Sequence, residues 1–349
     1  MAERVRVGVI GASGYTGYEL LRVLVAHPAV EISVATSEQY AGQQVAELFP
    51  SLARLLDLTL SPLLEEGLEE RCDTVFLALP HKTAMRAAVR FLAAGKRVID
   101  LSADFRLRDA QTYEAWYGAA HEARSWLARA VYGLPERYRS AIKEAQLVAN
   151  PGCYPTSAIL PLAPLLSEGL LVPESIIVDA LSGVSGAGRK LEAQYLYGEA
   201  AESVKAYGVP RHRHTPEIEQ ELSVAAGVPV TITFTPHLLP MTRGMLSTIY
   251  AQPRLPLSAS QFREVLAKAY GEEPFVRLCA AGRLPEARHV RGSNFCDIGV
   301  EVDSRTGRLI LISALDNLVK GASGQAVQNF NLMHGLAETL ALRTPGLAL

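Results

Sequence analysis

The chain has 349 residues, of which 49% are hydrophobic and 20% are charged, and its formal net charge is −2 at pH 7. This length exceeds the size at which one hydrophobic core usually stops growing, so two domains are expected. The near-neutral charge gives no electrostatic case for nucleic acid or an acidic membrane as a partner. Without a signal-peptide pattern or an apolar stretch that could span a bilayer, the sequence predicts a cytoplasmic protein.

The first half of the chain alternates predicted strands and helices. Strands are expected at 4–10, 30–36, 74–79, 97–101 and 146–149, and helices at 15–27 and 82–94. The segment 74–79 is apolar almost throughout, as in a parallel sheet covered on both faces. The alternation predicts a doubly wound, Rossmann-like α/β domain over residues 1–150.

A glycine-rich loop follows the first predicted strand and opens the first helix. Glycines there let the backbone approach a pyrophosphate, and the helix N-terminus supplies N–H groups that bind it. The spacing is G-x-x-G-x-x-G, which departs from the usual dinucleotide fingerprint at the middle glycine. The predicted cofactor residues in this domain are Gly11, Ser13, Gly14, Tyr15, Thr16, Gly17, Ser37 and Pro80.

The coenzyme preference is read from the end of the second strand. An acid there would hold the ribose hydroxyls of NAD, whereas Thr36 and Ser37 leave room for a 2′-phosphate. Glu38 follows directly, and no arginine lies nearby in the sequence. The pattern favours NADP(H) and leaves NAD open.

From about residue 175 the hydrophobic period changes to two. Segments 230–235 and 298–303 alternate apolar and polar residues, 308–314 is a further strand, and helices are expected at 215–224 and 260–270. We expect an α+β domain over 151–323 with a mainly antiparallel sheet that faces water or a partner subunit on one side. This predicts a homodimer or homotetramer. A last helix begins at 324, and the segment 324–349 is expected to pack on the first domain.

Cys153 lies in a turn between a predicted strand and an apolar helix. The turn reads NPGCYPT over residues 150–156, and Pro155 is expected to be the first helical residue. A sulfur beside a helix N-terminus is favoured as the thiolate, which suits attack on an electrophilic carbonyl. The other cysteines (Cys72, Cys279, Cys296) are widely spaced, so neither a disulfide framework nor a metal site is expected.

Together the glycine loop and the cysteine turn resemble the N-acetyl-γ-glutamyl-phosphate reductases of arginine biosynthesis. Further segments matching that family in chain order are DLSADFR at 100–106, SGVSGAG at 182–188, HRHTPE at 212–217 and DNLVKG at 316–321. The resemblance covers essentially the whole chain. It implies an oxidoreductase that uses NADPH to reduce N-acetyl-γ-glutamyl phosphate to the semialdehyde and releases inorganic phosphate. Many members of that family carry a basic residue where Glu38 stands.

The resemblance implies roles for further residues. Cys153 would form a thioester, and His214 or His212 would transfer a proton, with His214 the first choice. Glu217 is expected to serve a helix end, and Lys320 to be solvated. The predicted substrate residues are Arg106 for the phosphate, Arg243 for a carboxylate, Asn150 for the oxyanion, and Ser185. Gly186 and Asn317 are expected to approach the nicotinamide.

Two alternatives remain. Related enzymes reduce aspartyl phosphate or a carrier-bound aminoadipyl phosphate, although the Pro-Gly and Tyr-Pro around Cys153 favour the arginine enzyme. A nucleotide-binding redox regulator is the non-enzymatic alternative. The joint presence of Cys153, His214 and Arg106 favours the enzyme, because redox sensing would not require all three.

Overall fold

A computed structural model describes residues 4–63, 65–189 and 191–348. Residues 1–3 and 349, at the outer limits of the predicted domains, lie outside the described residues. The strands are β1 (Val5–Ile10), β2 (Val30–Thr36), β3 (Thr74–Leu77), β4 (Arg97–Asp100), β5 (Val131–Tyr132), β6 (Leu147–Ala149), β7 (Ile176–Gly183), β8 (Lys205–Ala206), β9 (Ile232–Leu239), β10 (Met245–Ala251), β11 (Val276–Leu278), β12 (Cys296–Asp303) and β13 (Arg308–Leu315). The α-helices are α1 (Tyr15–Leu24), α2 (Val45–Leu48), α3 (Thr83–Ala93), α4 (Ala110–Tyr117), α5 (Arg124–Leu127), α6 (Pro135–Glu144), α7 (Cys153–Ser167), α8 (Tyr197–Ala200), α9 (Thr215–Ala226), α10 (Ala259–Tyr270), α11 (Ala287–Val290) and α12 (Gly324–Met333).

The chain divides into two compact units. The first runs to Pro151 and includes Ala322–Arg343, and the second comprises Gly152–Gly321 together with the chain from Thr344 onwards. The segment predicted as 324–349 therefore divides after Arg343. Beyond it, the Leu347 N–H donates a 2.7 Å hydrogen bond to the carbonyl of Arg291 in the second unit.

The first unit is built on a six-stranded parallel sheet. Its strand order is β2-β1-β3-β4-β6-β5, so successive strands first move to one side of β1 and then to the other. At such a reversal the loops after neighbouring strands diverge and leave a crevice for a ligand. β3 is buried along its whole length because α3 covers one face through Ala84, Ala88 and Phe91. The predicted doubly wound fold is confirmed.

The last helix, α12, belongs to this unit. All of its ten residues are buried, and it packs against α1, α6 and β4. Its amides are used in hydrogen bonds, since the Asn329 side chain donates to the Gly133 carbonyl and to Asn150 Oδ1. A helix buried on every side is held by such internal partners.

The second unit contains a seven-stranded sheet of order β11-β12-β13-β10-β7-β9-β8. The β7–β9 and β11–β12 pairs are parallel, and the other four pairs are antiparallel. The sheet is therefore mainly antiparallel, as predicted. β9 and β10 bury alternate residues, which leaves one face less covered. α7 is apolar all round, carries Pro161 and Pro164, and packs against α9 and α10.

Candidate active site

Cys153 is the first residue of α7, with Gly152 as its N-cap. The helix thus begins two residues before Pro155, which was predicted to be its first residue. Cys153 therefore belongs to the first helical turn, where unsatisfied N–H groups and the helix dipole favour negative charge on its sulfur. Cys153 is partly exposed, whereas Cys72 and Cys296 are buried.

Glu217 fixes the turn that carries Cys153. Its Oε1 accepts a 2.9 Å hydrogen bond from the Gly152 N–H, and the residue is fully buried in the first turn of α9. The sequence suggested that Glu217 serves the end of α9. The structure shows that it also connects α9 to Gly152, the residue before Cys153.

Gly321 packs directly against Cys153. A Cβ placed on Gly321 would lie 2.7 Å from the Cβ of Cys153, closer than real Cβ contacts allow. The Gly321 N–H donates to the Asp316 carbonyl at 2.9 Å, which holds this short π-helical segment in place. Only a residue without a side chain fits there.

Both candidate histidines lie beside Tyr154, the neighbour of Cys153. The ring centroids of His212 and His214 are 5.6 and 5.9 Å from that of Tyr154, and 4.9 Å from each other. His212 also contacts Phe234 and Tyr207 edge-to-face. The structure therefore brings the histidine pair to Tyr154, the residue after Cys153.

His212 is oriented by a hydrogen bond from the backbone of His214. His212 Nδ1 accepts a 3.1 Å hydrogen bond from the His214 N–H, so the proton of its neutral ring is on Nε2. Burial, followed by the charge of Arg213, lowers the pKa of His212 to about 4. His212 is consequently neutral at physiological pH.

Two tyrosines complete this cluster. The Tyr207 hydroxyl donates to that of Tyr154 at 3.0 Å, and Tyr154 donates to the His237 carbonyl at 3.4 Å. Burial, then the neighbouring charges of Tyr207 and Cys153, raises the pKa of Tyr154 far above its ordinary value. Both hydroxyls therefore stay protonated and are able to donate hydrogen bonds.

Arg243, predicted to bind a substrate carboxylate, forms an ion pair of 3.0 Å with Asp316. Asp316 is completely buried and also accepts from the N–H groups of Gly292 and Leu318. The guanidinium thus has an internal counter-ion. Its role towards substrate stays a prediction.

Ser185, Gly186 and Asn317 lie together at the end of β7. The Asn317 side chain donates to Ser185 Oγ at 2.9 Å and accepts from the Gly244 N–H at 2.8 Å. A Cβ on Gly186 would lie 2.8 Å from Ser182 Oγ. The amide of Asn317 therefore connects the loops after β7 and β13 within the second unit.

Lys320 was expected to be solvated, and this is wrong. The residue is completely buried, with its Nζ 5.9 Å from the ring centroid of Phe275. A charged residue in a loop normally indicates surface, so only the tertiary structure reveals this cation–aromatic contact.

In the first unit, the glycine loop fits a dinucleotide pyrophosphate. Gly11 has φ +91°, and a Cβ there would lie 2.5 Å from the Ala78 carbonyl oxygen. A Cβ on Gly17 would lie 2.3 Å from the Gly11 carbonyl oxygen, so α1 packs closely on the loop. At Gly14 the nearest atom is 4.0 Å away, which leaves open space. α1 has no side-chain cap and no acid in its first turn, so its N–H groups remain available to a phosphate.

Of the other predicted cofactor residues, Ser37 adjoins the glycine loop. Its hydroxyl donates to Ser13 Oγ at 3.0 Å, and the residue is buried. Pro80 is exposed just beyond β3. Tyr15 is 40% exposed at the start of α1, and the Thr16 carbonyl accepts from Ser323 Oγ at 2.9 Å.

Arg106 and Asn150 form one buried arrangement at the carboxyl ends of β4 and β6. Arg106 donates through Nε to the Asn150 carbonyl and through Nη2 to the Leu101 carbonyl, both at 2.8 Å. The Asn150 amide donates to the Ala322 carbonyl, and its Oδ1 accepts from Asn329. Asn150 thus orients the arginine, and its predicted oxyanion role stays a prediction.

Two acids lie in the same segment. Burial, followed by the charge of Asp104, raises the pKa of Asp100 to about 7, while Ser102 donates to its carboxylate through N–H and Oγ. Asp104 accepts from the N–H groups of Lys82 and Met85 and from the Tyr113 hydroxyl. These bonds fix the loop after β4 against the start of α3.

Cys72, Cys153, Cys279 and Cys296 all lie among the described residues, and no disulfide joins any two of them. Among residues 4–63, 65–189 and 191–348, no cluster of histidine, cysteine, aspartate or glutamate side chains has the arrangement of a metal site. Over the same residues, no helix combines the length and apolar character needed to cross a membrane.

Comparison with known proteins identifies the family. Residues 6–145 match the family model for the semialdehyde dehydrogenase NAD binding domain, and residues 153–317 match that for its dimerisation domain. An N-acetyl-γ-glutamyl-phosphate reductase of Citrifermentans bemidjiense is 58% identical, with 97% of this chain and 98% of the relative covered. One from Moorella thermoacetica is 54% identical, with 98% and 99% covered. The chain belongs to the N-acetyl-γ-glutamyl-phosphate reductase family.

Solved structures show the same fold at low sequence identity. Aspartate semialdehyde dehydrogenase II of Vibrio cholerae, complexed with ASA, has a TM-score of 0.74 at 19% identity and covers 96% of this chain and 99% of its own. The Candida albicans aspartate semialdehyde dehydrogenase with NADP has a TM-score of 0.70 at 17% identity, with 97% and 100% covered. The predicted family, fold class and enzyme assignment are confirmed.

Sequence reasoning missed several groups around the predicted nucleophile, Cys153. Besides Glu217, it did not single out Tyr154, Tyr207 and Asp316 as interacting residues. Tyr207 lies some fifty residues from Tyr154, and a pairing at that separation leaves no local signal in one sequence. The sequence analysis identified Glu217 but could not identify Gly152 as its hydrogen-bond partner.

Proposed function

We propose that the chain catalyses the reduction of N-acetyl-γ-glutamyl phosphate to N-acetylglutamate 5-semialdehyde, with NADPH as the reductant and release of inorganic phosphate. The observation that supports this most is Cys153 at the first position of α7, with its turn held by Glu217. The reductases that are 54–58% identical over nearly the whole chain support the substrate.

The first step is nucleophilic. The Cys153 thiolate attacks the acyl carbonyl carbon, the bond from that carbon to the phosphate oxygen breaks, and a thioester forms as phosphate leaves. N–H groups in the first turn of α7 are proposed to stabilise both the thiolate and the oxyanion of the tetrahedral intermediate. This covalent route divides one difficult reduction into two easier steps.

A nicotinamide coenzyme held by the glycine loop would supply the hydride that reduces the thioester carbon. The resulting oxyanion reforms a carbonyl as the bond between carbon and Sγ breaks, which releases the aldehyde and regenerates the thiolate. His214 is our candidate for holding the proton that the Cys153 thiol loses on activation. His212, neutral and fixed by its Nδ1 contact, positions the His214 backbone.

Arg106 is proposed to bind the leaving phosphate. Its guanidinium is held by two backbone carbonyls at the sheet edge, which fixes its planar fork for charge-assisted bonds to phosphate oxygens. Arg243 and Ser185 are proposed to contact the remainder of the acyl substrate.

The glycine loop, with Gly11, Ser13, Gly14, Tyr15, Thr16 and Gly17, is proposed to bind the pyrophosphate. Ser37 and Pro80 are proposed to line the adenosine side, and Gly186 and Asn317 the nicotinamide side. The open space at Gly14 and the uncapped start of α1 support the pyrophosphate assignment. The NADP named in the Candida albicans structure supports the choice of coenzyme.

We also propose a cytoplasmic homodimer or homotetramer, and a domain division near residue 151. The description of residues 153–317 as a dimerisation domain supports self-association through the second unit. Sedimentation velocity at micromolar concentration is the check, and a strict monomer would contradict the proposal.

The reaction is tested in reverse. Purified protein receives inorganic phosphate, NADP⁺ or NAD⁺, and one of the semialdehydes of N-acetylglutamate, aspartate or aminoadipate. We expect phosphate-dependent reduction of NADP⁺ with N-acetylglutamate 5-semialdehyde and rates at least about 100-fold lower with the others. A higher rate with another semialdehyde would reassign the substrate. No turnover with any of the three would leave the redox-regulator alternative.

A further inference from the structure

A cleft of about 490 Å³ in the first unit contains charges that the proposed chemistry does not use. It is bounded by Glu38 and Leu63 on one side and by one side of α3, from its N-cap to Phe91, on the other. The residues from α3 and its N-cap are Lys82, Thr83, Arg86, Ala87, Arg90 and Phe91. We refer to it below as the α3 cleft.

The α3 cleft lies where a dinucleotide places its adenosine ribose. β1, β2 and β3 are neighbours and parallel, so the glycine loop, the Ser37–Glu38 segment and the start of α3 all follow strand ends at one edge of the sheet. The Ser37–Ser13 hydrogen bond connects the first two of these segments. In this fold the residues after the second strand face the ribose 2′ position.

Two of the charged groups at the cleft are already committed. Glu38 Oε1 accepts a 2.6 Å hydrogen bond from the Leu63 N–H. Arg90 forms an ion pair with Glu69 at 2.6 Å and also donates to the carbonyls of Leu63 and Glu65. These bonds build the wall of the cleft and hold Glu38 against it.

The remaining charged residues at the cleft, Lys82 and Arg86, are available to a ligand. Within the described part of the chain, Arg86 pairs only with Glu122, and both side chains of that 3.2 Å pair are more than 60% exposed. Such a surface pair contributes little and is readily exchanged for a better partner. No side-chain hydrogen bond or ion pair of Lys82 occurs among the described residues, whereas its N–H is fixed by Asp104.

We propose that Lys82 and Arg86 bind the 2′-phosphate of NADP(H), in place of a basic residue at the end of β2. The inference rests on the proposed function in one respect, namely that a nicotinamide dinucleotide occupies the first unit. A phosphate with two negative charges suits an arginine fork beside a lysine ammonium. Ser37, small and directly after β2, leaves the space that a phosphate needs. The preference for NADP(H) over NAD(H) is thus determined by Lys82 and Arg86 at α3, and Glu38 makes no favourable contribution to coenzyme binding.

The test measures binding, independently of turnover. Isothermal titration compares NADPH with NADH, and the fragment 2′,5′-ADP with 5′-ADP, on wild type and on K82A, R86A and the double variant. The matched control is K96A, which removes a lysine just beyond α3 that does not line the cleft. We expect each cleft variant to weaken NADPH and 2′,5′-ADP about 10-fold or more, with NADH and 5′-ADP changed less than about 2-fold.

E38Q keeps an acceptor for the Leu63 N–H and removes a negative charge. We expect it to tighten NADPH by a few-fold and to leave NADH unchanged. Loss of NADH affinity in E38Q, together with unchanged NADPH affinity in K82A and R86A, would show that the acid reads a ribose hydroxyl. That result would overturn the proposal, as would equal weakening of both coenzymes in the cleft variants.

The two proposals fail in different ways. If wild type binds 2′,5′-ADP no better than 5′-ADP, the 2′-phosphate site is refuted even when the protein reduces an acyl phosphate with NADH. If no semialdehyde is turned over but 2′,5′-ADP binds in an Arg86-dependent manner, the reductase proposal fails and the 2′-phosphate site stands.

Discussion

The carboxylate of Glu217 accepts a hydrogen bond of 2.9 Å from the N–H of Gly152, the residue before Cys153. Glu217 is in the first turn of α9, which begins directly after His214, so one side chain connects the histidine segment to the turn that carries Cys153. The acid is completely buried. An orphaned N–H in that place would be costly, because a buried donor without a partner loses its full desolvation energy.

The first prediction concerns this bond. E217A should lower kcat by about 10- to 100-fold, because the turn moves when its anchor is lost, and should cost about 1–3 kcal/mol of folding free energy. The matched control is E219A, since Glu219 on the same helix accepts a 3.0 Å bond from the Ile232 N–H. We expect E219A to lose comparable stability and to retain kcat, as measured by turnover and chemical denaturation. Equal kcat losses in the two variants would show that Glu217 acts only through stability.

The second prediction concerns selective reaction of Cys153. Burial raises the pKa of Cys72 to about 11 and also raises that of Cys279, while Cys296 is fully buried. At pH 7, one equivalent of iodoacetamide should therefore label Cys153 alone, as read by peptide mass spectrometry. C279S should be labelled like wild type. Labelling mainly at another cysteine would contradict the proposed nucleophile.

C153S provides the corresponding activity test. Serine is far harder to ionise, so turnover should fall by about 10³-fold or more, while coenzyme affinity and folding free energy change little. Titration with NADPH and denaturant unfolding check the latter two. Near wild-type turnover in C153S would rule out the thioester route.

The third prediction separates the two histidines. H214N should lower kcat by about 10²- to 10⁴-fold, the range for loss of a general acid or base. H212N should lose much less, because asparagine Oδ1 replaces Nδ1 as acceptor for the His214 N–H. The reverse ranking would assign proton transfer to His212.

The fourth prediction follows from the pKa of His212, which burial lowers to about 4. A lowered pKa in the folded state means that the contribution of His212 to stability is present above its ordinary value near 6.5 and is lost as the pH falls through 4. Wild type should lose on the order of 1–3 kcal/mol more than H212N over that window, as measured by denaturant unfolding. His334, whose pKa is also lowered to about 4, contributes equally to both proteins and cancels. Parallel pH curves for the two proteins would contradict this.

The fifth prediction concerns Gly321. G321A places a Cβ 2.7 Å from that of Cys153, so either the nucleophile or the loop must move, and kcat should fall at least about 10-fold. G198A is the control, because a Cβ there has no atom within 4 Å and Gly198 is in the short helix α8. Its kcat should equal that of wild type. An unchanged kcat in G321A would show that the contact does not position the sulfur.

Much of the first unit was predictable because its strands carry a continuous apolar signal. The structure reproduces the predicted strand Val30–Thr36 to the residue, and α3 differs by one residue at each end. Patterns of this kind depend on neighbours in sequence, so a single chain displays them.

The strands β7 and β10 were not predicted from the sequence, and β7 shows the reason. β7 reads IIVDALSG, which contains an acid and ends in residues typical of turns, and it was not predicted as a strand. Its place between β10 and β9 supplies partners on both sides, and this pairing overrides local preference. The burial of Lys320 and the reach of Glu217 to Gly152 have the same origin, since both depend on contacts distant in sequence.

The many contacts of Asp316 predict where inactivating substitutions will be found. This one residue is the counter-ion of Arg243, accepts from the Gly292 and Leu318 N–H groups, and holds Gly321 through its carbonyl. Asp316 therefore connects three loops, which contain Arg243, Gly292 and residues 316–321. A displacement of one of these loops would disturb the other two. A random mutagenesis screen for arginine auxotrophs should accordingly yield inactive alleles at sites such as Gly292, far along the chain from Cys153.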